Sequence, residues 1–170
     1  SLALLIITLL GGWLRSALVA VLGVFGHRLM SPLIVLVVYM AGYLVRRPLA
    51  AIVSALVMGL VSLPFMPGGV AIIFGYLIGG VLAELSYAAG RYRTYTLPFM
   101  MSIGLIYNLI GVGLIWVPLQ VGSLTITAVV GVFALSAVMG LVGGWLTKTL
   151  GDALLNSGVM TINIEEVEPA

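Results

Sequence analysis

Apolar runs long enough to cross a lipid bilayer follow one another along almost the whole chain. A crossing helix needs roughly 20 mainly apolar residues, and short segments rich in proline, glycine or arginine separate such runs here. With 62% hydrophobic and 7% charged residues in 170, the chain has too little polar surface for a water-soluble domain. The sequence therefore predicts an all-α membrane protein with one bundle of six transmembrane helices.

Turn-forming residues set the boundaries of the six runs. The runs cover about residues 2–24, 33–45, 48–62, 70–89, 95–117 and 124–146. Residues 26–32 are expected to form a loop, and residues 147–160 a short interfacial helix. We predict that residues 1–157 form a single transmembrane domain and that residues 158–170 form a polar, acidic tail.

The basic residues between the runs are distributed asymmetrically. Five of them follow the second, fourth and sixth runs and therefore share one face with the N-terminus: Arg46, Arg47, Arg91, Arg93 and Lys148. Arg28 is expected alone on the opposite face. Cytoplasmic loops carry an excess of lysine and arginine. The sequence therefore predicts a multi-pass protein of the plasma membrane with both termini in the cytoplasm.

Five residues in the outer half of this bundle are candidates for binding a small molecule. At 1.5 Å per residue, the following side chains fall at suitable depths: Arg15, Tyr76, Asn108, Trp116 and Gln120. Aromatic and hydrogen-bonding groups in an apolar cavity are typical of a small-ligand site. Other interpretations stay open, since Arg15 could snorkel, Trp116 could anchor the interface and Asn108 could bond a neighbouring helix.

One carboxylate, Glu84, falls inside the fourth run. A charged side chain at that depth is costly in lipid and normally faces protein or a water-filled cavity. Its position, roughly 20 Å from the outer surface, places it in the cytoplasmic third, near Arg91 and Arg93. We predict that these three residues have a structural or coupling role and that Glu84 does not contact the ligand; a basic partner could hold its carboxylate.

The first run carries small residues at intervals of four, Gly12, Ser16 and Ala20. Small residues let two helix backbones approach closely inside a membrane. This face is the candidate surface for docking a partner protein.

The sequence lacks the motifs of several other functional classes. It contains no G-x-x-x-x-G-K-[ST] nucleotide loop, no H-E-x-x-H motif and no cysteine. His27 is the single histidine, so no metal site is predicted, and no cofactor is expected. A net charge of +2 gives no indication of nucleic-acid binding. With few acidic residues available for acid–base catalysis, the chain is not predicted to be an enzyme.

Three segments resemble the substrate-binding S components of energy-coupling factor (ECF) vitamin transporters. They are MAGYLVRRPLAAIVSALV (40–57), GGVLAELSYAAGRYRTYTLPFMM (79–101) and LVGGWLTKTLGDALLNSGVM (141–160). The most specific points are Arg46-Arg47-Pro48 before an alanine-rich helix, Ala83-Glu84 ahead of Arg91-Tyr92-Arg93, and Leu97-Pro98. The nearest branch is the YkoE-like one, which is associated with thiamin and its hydroxymethylpyrimidine precursor.

The resemblance implies a six-helix fold with a ligand pocket on the outer side and a docking face on the first helix. It also implies ATP-driven uptake of a vitamin-like molecule, with thiamin or its pyrimidine precursor favoured. The implied partners are a transmembrane T component and two ATPase subunits.

The chain departs from the pattern of this family at positions that bear on the ligand. Ala55 and Ser62 stand where related chains carry glutamates, and the outer half offers no carboxylate for cationic thiamin. A neutral pyrimidine-like ligand, or an anionic one paired with Arg15, is therefore an open alternative. A self-sufficient small transporter and a structural membrane subunit are the other classes that stay open.

Overall fold

Seven α-helices make up most of the chain that the structure describes. The computed structural model describes residues 2–63, 71–117 and 119–157, with side chains from residue 10 onward except at positions 12, 15, 71 and 72. The helices are α1 (Leu2–Leu22), α2 (Val24–Leu29), α3 (Ser31–Val45), α4 (Ala50–Ser62), α5 (Ala71–Ala89), α6 (Leu97–Ile115) and α7 (Ile126–Asn156). A 3₁₀ turn, Val121–Ser123, precedes α7. The predicted all-α class is confirmed, while the predicted acidic tail lies outside the described residues.

The second membrane span consists of two helices, α2 and α3. Gly23 has φ 57°, a left-handed conformation that glycine adopts at little cost, and it ends α1. The helix resumes at once, and Met30 joins α2 to α3, which has Pro32 in its first turn. Together Val24–Val45 form a 22-residue, mainly apolar span. The loop predicted for residues 26–32 is therefore wrong, and Arg28 lies in a helix.

Helix α7 is continuous over 31 residues. At 1.5 Å per residue it is roughly 46 Å long, whereas the hydrocarbon core of a bilayer is about 30 Å thick. The separate interfacial helix predicted for residues 147–160 is therefore wrong, because the described part of that segment continues α7. Gly151 lies inside the helix and does not end it. The ring of Tyr43 packs so closely against Gly151 that a side chain there would clash with it.

Helices α6 and α7 pack with their backbones nearly in contact. A Cβ atom on Gly104 would lie 2.4 Å from the carbonyl oxygen of Gly140. A Cβ atom on Gly144 would lie 2.1 Å from the carbonyl oxygen of Met100. Any side chain at these positions would force the helices apart, which explains the glycines along this contact.

Tyrosines fill the core where α3 meets α5 and α7. Tyr39, Tyr43 and Tyr87 are at most 1% exposed, and the Tyr39 and Tyr87 rings make an edge contact at 5.7 Å. Their hydroxyl groups are satisfied inside the bundle: Tyr87 donates to the carbonyl oxygen of Tyr39 at 2.7 Å, and Tyr43 donates to Asp152. Helix α3 is thereby joined to two neighbouring spans.

The two ends of the bundle are chemically different. The basic end comprises loops 46–49 and 90–96 and the C-terminal part of α7, which side-chain contacts join. The opposite end comprises Gly23 and the described residues of loop 116–125. The predicted grouping of Arg46, Arg47, Arg91, Arg93 and Lys148 at one end is confirmed by these contacts. That the basic end faces the cytoplasm stays a prediction.

Candidate functional site

A buried arginine, Arg28 of α2, lies toward the opposite end of the bundle. It is 2% exposed. Its Nη2 donates a hydrogen bond to the carbonyl oxygen of Gly111 at 2.8 Å, and its Nη1 donates to that of Asn108 at 3.4 Å. Arginine keeps its charge in proteins, so these bonds hold a positive charge between α2 and α6.

Asn108 stands beside this guanidinium and is 1% exposed. Its Nδ2 donates to the carbonyl oxygen of Gly104 at 3.3 Å, while its buried Oδ1 has no hydrogen-bond partner. A buried acceptor without a donor costs about 1–3 kcal/mol, and folded proteins satisfy nearly all such groups. We call Arg28 and Asn108 the Arg28–Asn108 site, because together they present a fixed charge and a free acceptor.

An apolar cluster covers this site from the opposite end. It consists of Val24, Val112, Val121 and Val132, each no more than 7% exposed. Val24 precedes Arg28 by one helical turn and Val112 follows Asn108 by one turn, so the cluster lies nearer the opposite end than either residue. The arrangement is a small polar site under an apolar cover.

Tyr76, another predicted ligand residue, lies in a different place. It lines a cleft between α3, α4 and α5, together with Val38, Ala55 and Met58. The cavity volume is about 10 Å³, room for roughly one water molecule. The structure therefore brings Asn108 together with Arg28, and places Tyr76 against the other helices.

Trp116 and Gln120 lie at the surface of the opposite end. Trp116 is 38% exposed and its indole packs beside Gly122. Gln120 is exposed and adopts φ 49° in the turn before Val121. The position of Arg15 lies within α1, but its side chain is outside the described residues. The predicted pocket formed by these residues with Tyr76 and Asn108 stays a prediction.

Sequence reasoning assigned Arg28 to an outer loop and so missed it as a site residue. The signal that could have found it is helical spacing: Val24, Arg28, Ser31 and Val35 recur at three or four residues and are all buried. This stripe runs through the segment predicted as a loop.

The docking face predicted on α1 is exposed where the structure describes it. Ser16 and Ala20 are exposed, and so are the large apolar neighbours Trp13, at 70%, and Val21, at 80%. Gly12 lies outside the described side chains. An exposed helix face fits contact with either lipid or a partner helix, so its role in docking stays a prediction.

At the basic end, Glu84 of α5 joins two loops. Its carboxylate accepts hydrogen bonds from the backbone N–H of Leu49 at 2.6 Å and of Ala51 at 3.2 Å, and from the hydroxyl of Tyr92 at 2.5 Å. Leu49 is the N-cap residue of α4 and Ala51 lies in its first turn, where a negative charge is favourable. Glu84 is thus a helix cap supplied by a neighbouring helix.

The structure corrects the expectation that a basic side chain holds Glu84. Within the described residues its hydrogen bonds come from two backbone N–H groups and a phenol, and Arg91 and Arg93 are exposed. Backbone donors can hold a carboxylate as firmly as an arginine can. The coupling role predicted for these three residues stays a prediction.

A second polar cluster at the basic end links α3 to α7. Asp152 accepts from the Tyr43 hydroxyl and pairs with Lys148. The guanidinium of Arg46 lies 4.6 Å from the ring centre of Tyr95, a distance at which a cation is attracted to an aromatic face. Every charge in this cluster has a neighbour of suitable chemistry.

Two tyrosines in loop 90–96 have a pKa above the ordinary value of a tyrosine. The hydrogen bond to the Glu84 carboxylate raises the pKa of Tyr92 to about 12, because that bond requires the protonated phenol. Burial raises the pKa of Tyr95, although the Arg46 charge acts in the other direction. Both phenols are therefore neutral at physiological pH.

Metal-ligand chemistry is sparse in the described residues. No three histidine, aspartate or glutamate side chains there lie close enough to hold a metal ion.

Comparisons with known proteins show which family and which relatives this chain is similar to. A family described as "ABC-type cobalt transport system, permease component" matches residues 1–110. A protein of Bacillus subtilis (strain 168) that carries the name HMP/thiamine permease protein YkoE is 33% identical over 87 residues, which are 49% of this chain and 44% of the relative. The chain thus spans less than half the length of that relative.

A solved structure has the same fold. The crystal structure of an S-component of an ECF transporter superposes with a TM-score of 0.80, covering 96% of this chain and 85% of that one at 23% identity. The predicted six-span fold is confirmed by this superposition, and the resemblance noted in the sequence is supported.

Proposed function

The chain belongs to the family of permease components of ABC-type cobalt transport systems, whose model it matches over residues 1–110, and on this premise we propose that it is the substrate-binding S component of an ECF-type importer. It captures a small vitamin-like molecule at the opposite end of the bundle for ATP-driven uptake. The observation that carries the proposal is the Arg28–Asn108 site, a charge and a free acceptor buried under an apolar cover.

Family and fold set the class of the protein. It is a multi-pass protein of the plasma membrane that belongs to a transport family, and it is not an enzyme. The described helices include spans long and apolar enough to cross a membrane, such as Val24–Val45 and Ile126–Asn156. We therefore interpret its buried polar residues as candidates for a role in transport.

The name of the Bacillus relative supports thiamin or its hydroxymethylpyrimidine precursor (HMP) as the ligand. For cobalt, which the family's description names, imidazole and carboxylate groups are suitable ligands, and the described residues contain no group of three histidine, aspartate or glutamate side chains that could hold a metal ion. The predicted ligand residues Arg15, Trp116 and Gln120 are proposed to act with Asn108 at the opposite end, and Tyr76 is proposed to contact the ligand from the separate cleft between α3, α4 and α5.

The proposed partners are a transmembrane T component and two ATPase subunits. The sequence has no nucleotide-binding loop, and in this proposal the ATPase subunits supply the energy for accumulation. The exposed face of α1 with Ser16 and Ala20, continued by Gly12, is the proposed docking surface. Glu84, Arg91 and Arg93 are proposed to couple at the basic end, which faces the cytoplasm in this proposal.

Reconstitution in liposomes tests the proposal. The purified chain alone is expected to bind labelled HMP or thiamin without concentrating it, and the partners with ATP are expected to start uptake. Accumulation by the lone chain would identify a self-sufficient transporter. Failure to bind either compound would favour a structural subunit.

A substitution on α1 tests the docking surface separately. Ser16→Leu is expected to block uptake while leaving binding intact, because a bulky side chain keeps the partner helix away. The matched control is Ser102→Leu, since Ser102 is an exposed serine on α6 whose hydroxyl bonds its own helix; it is expected to leave uptake unchanged. Equal loss of uptake in both variants would remove α1 as the docking face.

A further inference from the structure

We propose that the Arg28–Asn108 site binds an uncharged ligand through a hydrogen-bond donor, so that the chain prefers a neutral aminopyrimidine to cationic thiamin. This inference rests on the proposed function and narrows its substrate class. It follows from two features of one place in the bundle, a free acceptor and a fixed positive charge.

The free acceptor is Oδ1 of Asn108, and the neighbouring backbone determines its identity. The other amide atom lies 3.3 Å from the carbonyl oxygen of Gly104, a distance that requires a donor there. Exchanging the two amide atoms would place two acceptors against each other, so the oxygen faces away from Gly104. A ligand that completes the site must therefore present an N–H or O–H group to Asn108.

The fixed charge is the guanidinium of Arg28, which touches the same residue through its carbonyl oxygen. Residues 1–157 contain two carboxylates, Glu84 and Asp152. Glu84 is held by loops of the basic end, and Asp152 pairs with Lys148 there. A thiazolium cation bound near Asn108 would lie close to the positive charge of Arg28, while both carboxylates lie at the basic end. Its binding is therefore disfavoured by charge repulsion.

An anionic ligand meets the opposite difficulty. It would be attracted by Arg28, but its acceptor oxygens would face Oδ1 of Asn108, which is also an acceptor. A neutral ring with an exocyclic amino group is compatible with both residues, since the amino group donates to Oδ1 of Asn108 and the ring places no charge beside Arg28. Its apolar faces suit the cover of Val24, Val112, Val121 and Val132.

The experiment compares three ligands with the purified full chain. HMP is the neutral aminopyrimidine, thiamin adds a cationic thiazolium to the same ring, and a thiamin analogue with thiophene in place of thiazolium has the size without the charge. We expect HMP and the neutral analogue to bind, with thiamin at least about 10-fold weaker than the neutral analogue. Thiamin binding as tightly as the analogue would overturn the inference while leaving the proposed function standing. Binding of none would overturn both.

Substitutions at Asn108 test the acceptor itself. Asn108→Leu is expected to weaken the neutral ligands about 3- to 10-fold, the loss typical of one hydrogen bond. Asn108→Asp keeps the size and the acceptor, loses the bond to the Gly104 carbonyl oxygen and places a carboxylate beside Arg28. It is therefore expected to narrow the preference for the neutral ligands over thiamin. This second variant carries the test if Asn108→Leu does not fold.

The matched control is Ser136→Ala. Ser136 is also fully buried, but its hydroxyl bonds the Val132 carbonyl of its own helix, so all three affinities should be unchanged. If both Asn108 variants also leave the affinities unchanged, Oδ1 binds water alone and the inference fails.

Discussion

Two buried polar side chains, Glu84 at the basic end and Asn108 toward the opposite end, are satisfied to different degrees. At the basic end the Glu84 carboxylate accepts three hydrogen bonds, whereas toward the opposite end Oδ1 of Asn108 accepts none. A carboxylate bonded by three donors is held in one geometry, while a free acceptor can gain a bond from a ligand. Substitutions at the basic end should therefore change stability and assembly, and those at the Arg28–Asn108 site should change affinity.

The largest expected effect comes from Glu84→Gln. The neutral amide loses the charge at the N-terminus of α4 and can offer one acceptor oxygen where the carboxylate offers two to Leu49, Ala51 and Tyr92. We expect the free energy of unfolding to fall by about 1.5–3 kcal/mol, the range for hydrogen bonds to a charged group. Thermal unfolding in detergent measures this fall, and co-purification with the partners measures assembly.

The control for this prediction is Tyr92→Phe, which removes one of the three bonds and should have a smaller effect. Ligand affinity should be unchanged in both variants. If Glu84→Gln lost affinity while keeping its stability and assembly, Glu84 would belong to the ligand site and the comparison between the ends would collapse.

A pair of glycine substitutions compares the packing of the two ends. A methyl group on Gly151 would lie 2.4 Å from the ring of Tyr43, which is fully buried and bonded to Asp152. Overpacking of this kind costs about 1–3 kcal/mol. A methyl group on Gly122 would meet the exposed Trp116 indole at 3.1 Å, and that ring can move. Unfolding curves should show a clear loss for Gly151→Ala and little for Gly122→Ala; equal losses would contradict the difference in rigidity.

The smallest expected effect is a pH dependence at the basic end. The pKa of Tyr92 is raised to about 12 by its bond to Glu84, above the ordinary value of about 10. A raised pKa means that the bond's contribution to stability is complete below pH 10 and is lost as the pH rises toward 12. The difference in unfolding temperature between the wild type and Tyr92→Phe should therefore be constant up to pH 10 and shrink above it. A difference that persists at pH 12 would show that the bond to Glu84 is not its source.

Much of the fold could be predicted from the sequence because a bilayer imposes a simple rule on composition. The six spans were placed by their apolar runs and the turn residues between them. The errors occurred where that rule does not apply. Residues 26–32 contain a histidine, an arginine and a proline, yet belong to two helices, because Arg28 bonds α6 carbonyl oxygens that lie 80 and 83 residues away.

The candidate site was predictable in part for the same reason. Asn108 stood out as a polar residue in mid-span, and Glu84 as a charge that needed a partner. The donors that hold Glu84 could not be foreseen, because two of them are backbone N–H groups, which every residue but proline carries. A sequence gives no indication of which such groups a side chain will meet.

The sequence by itself determined the membrane class, the span count and the grouping of arginines at one end, because each depends on which medium a residue can tolerate. Only the tertiary structure decided that Arg28 lies inside the bundle and that Glu84 caps α4. It also decided that Asn108 keeps an acceptor free. These outcomes depend on the approach of helices distant in sequence, and hydrogen bonding is short-ranged and directional, so hydropathy along the chain carries no record of it.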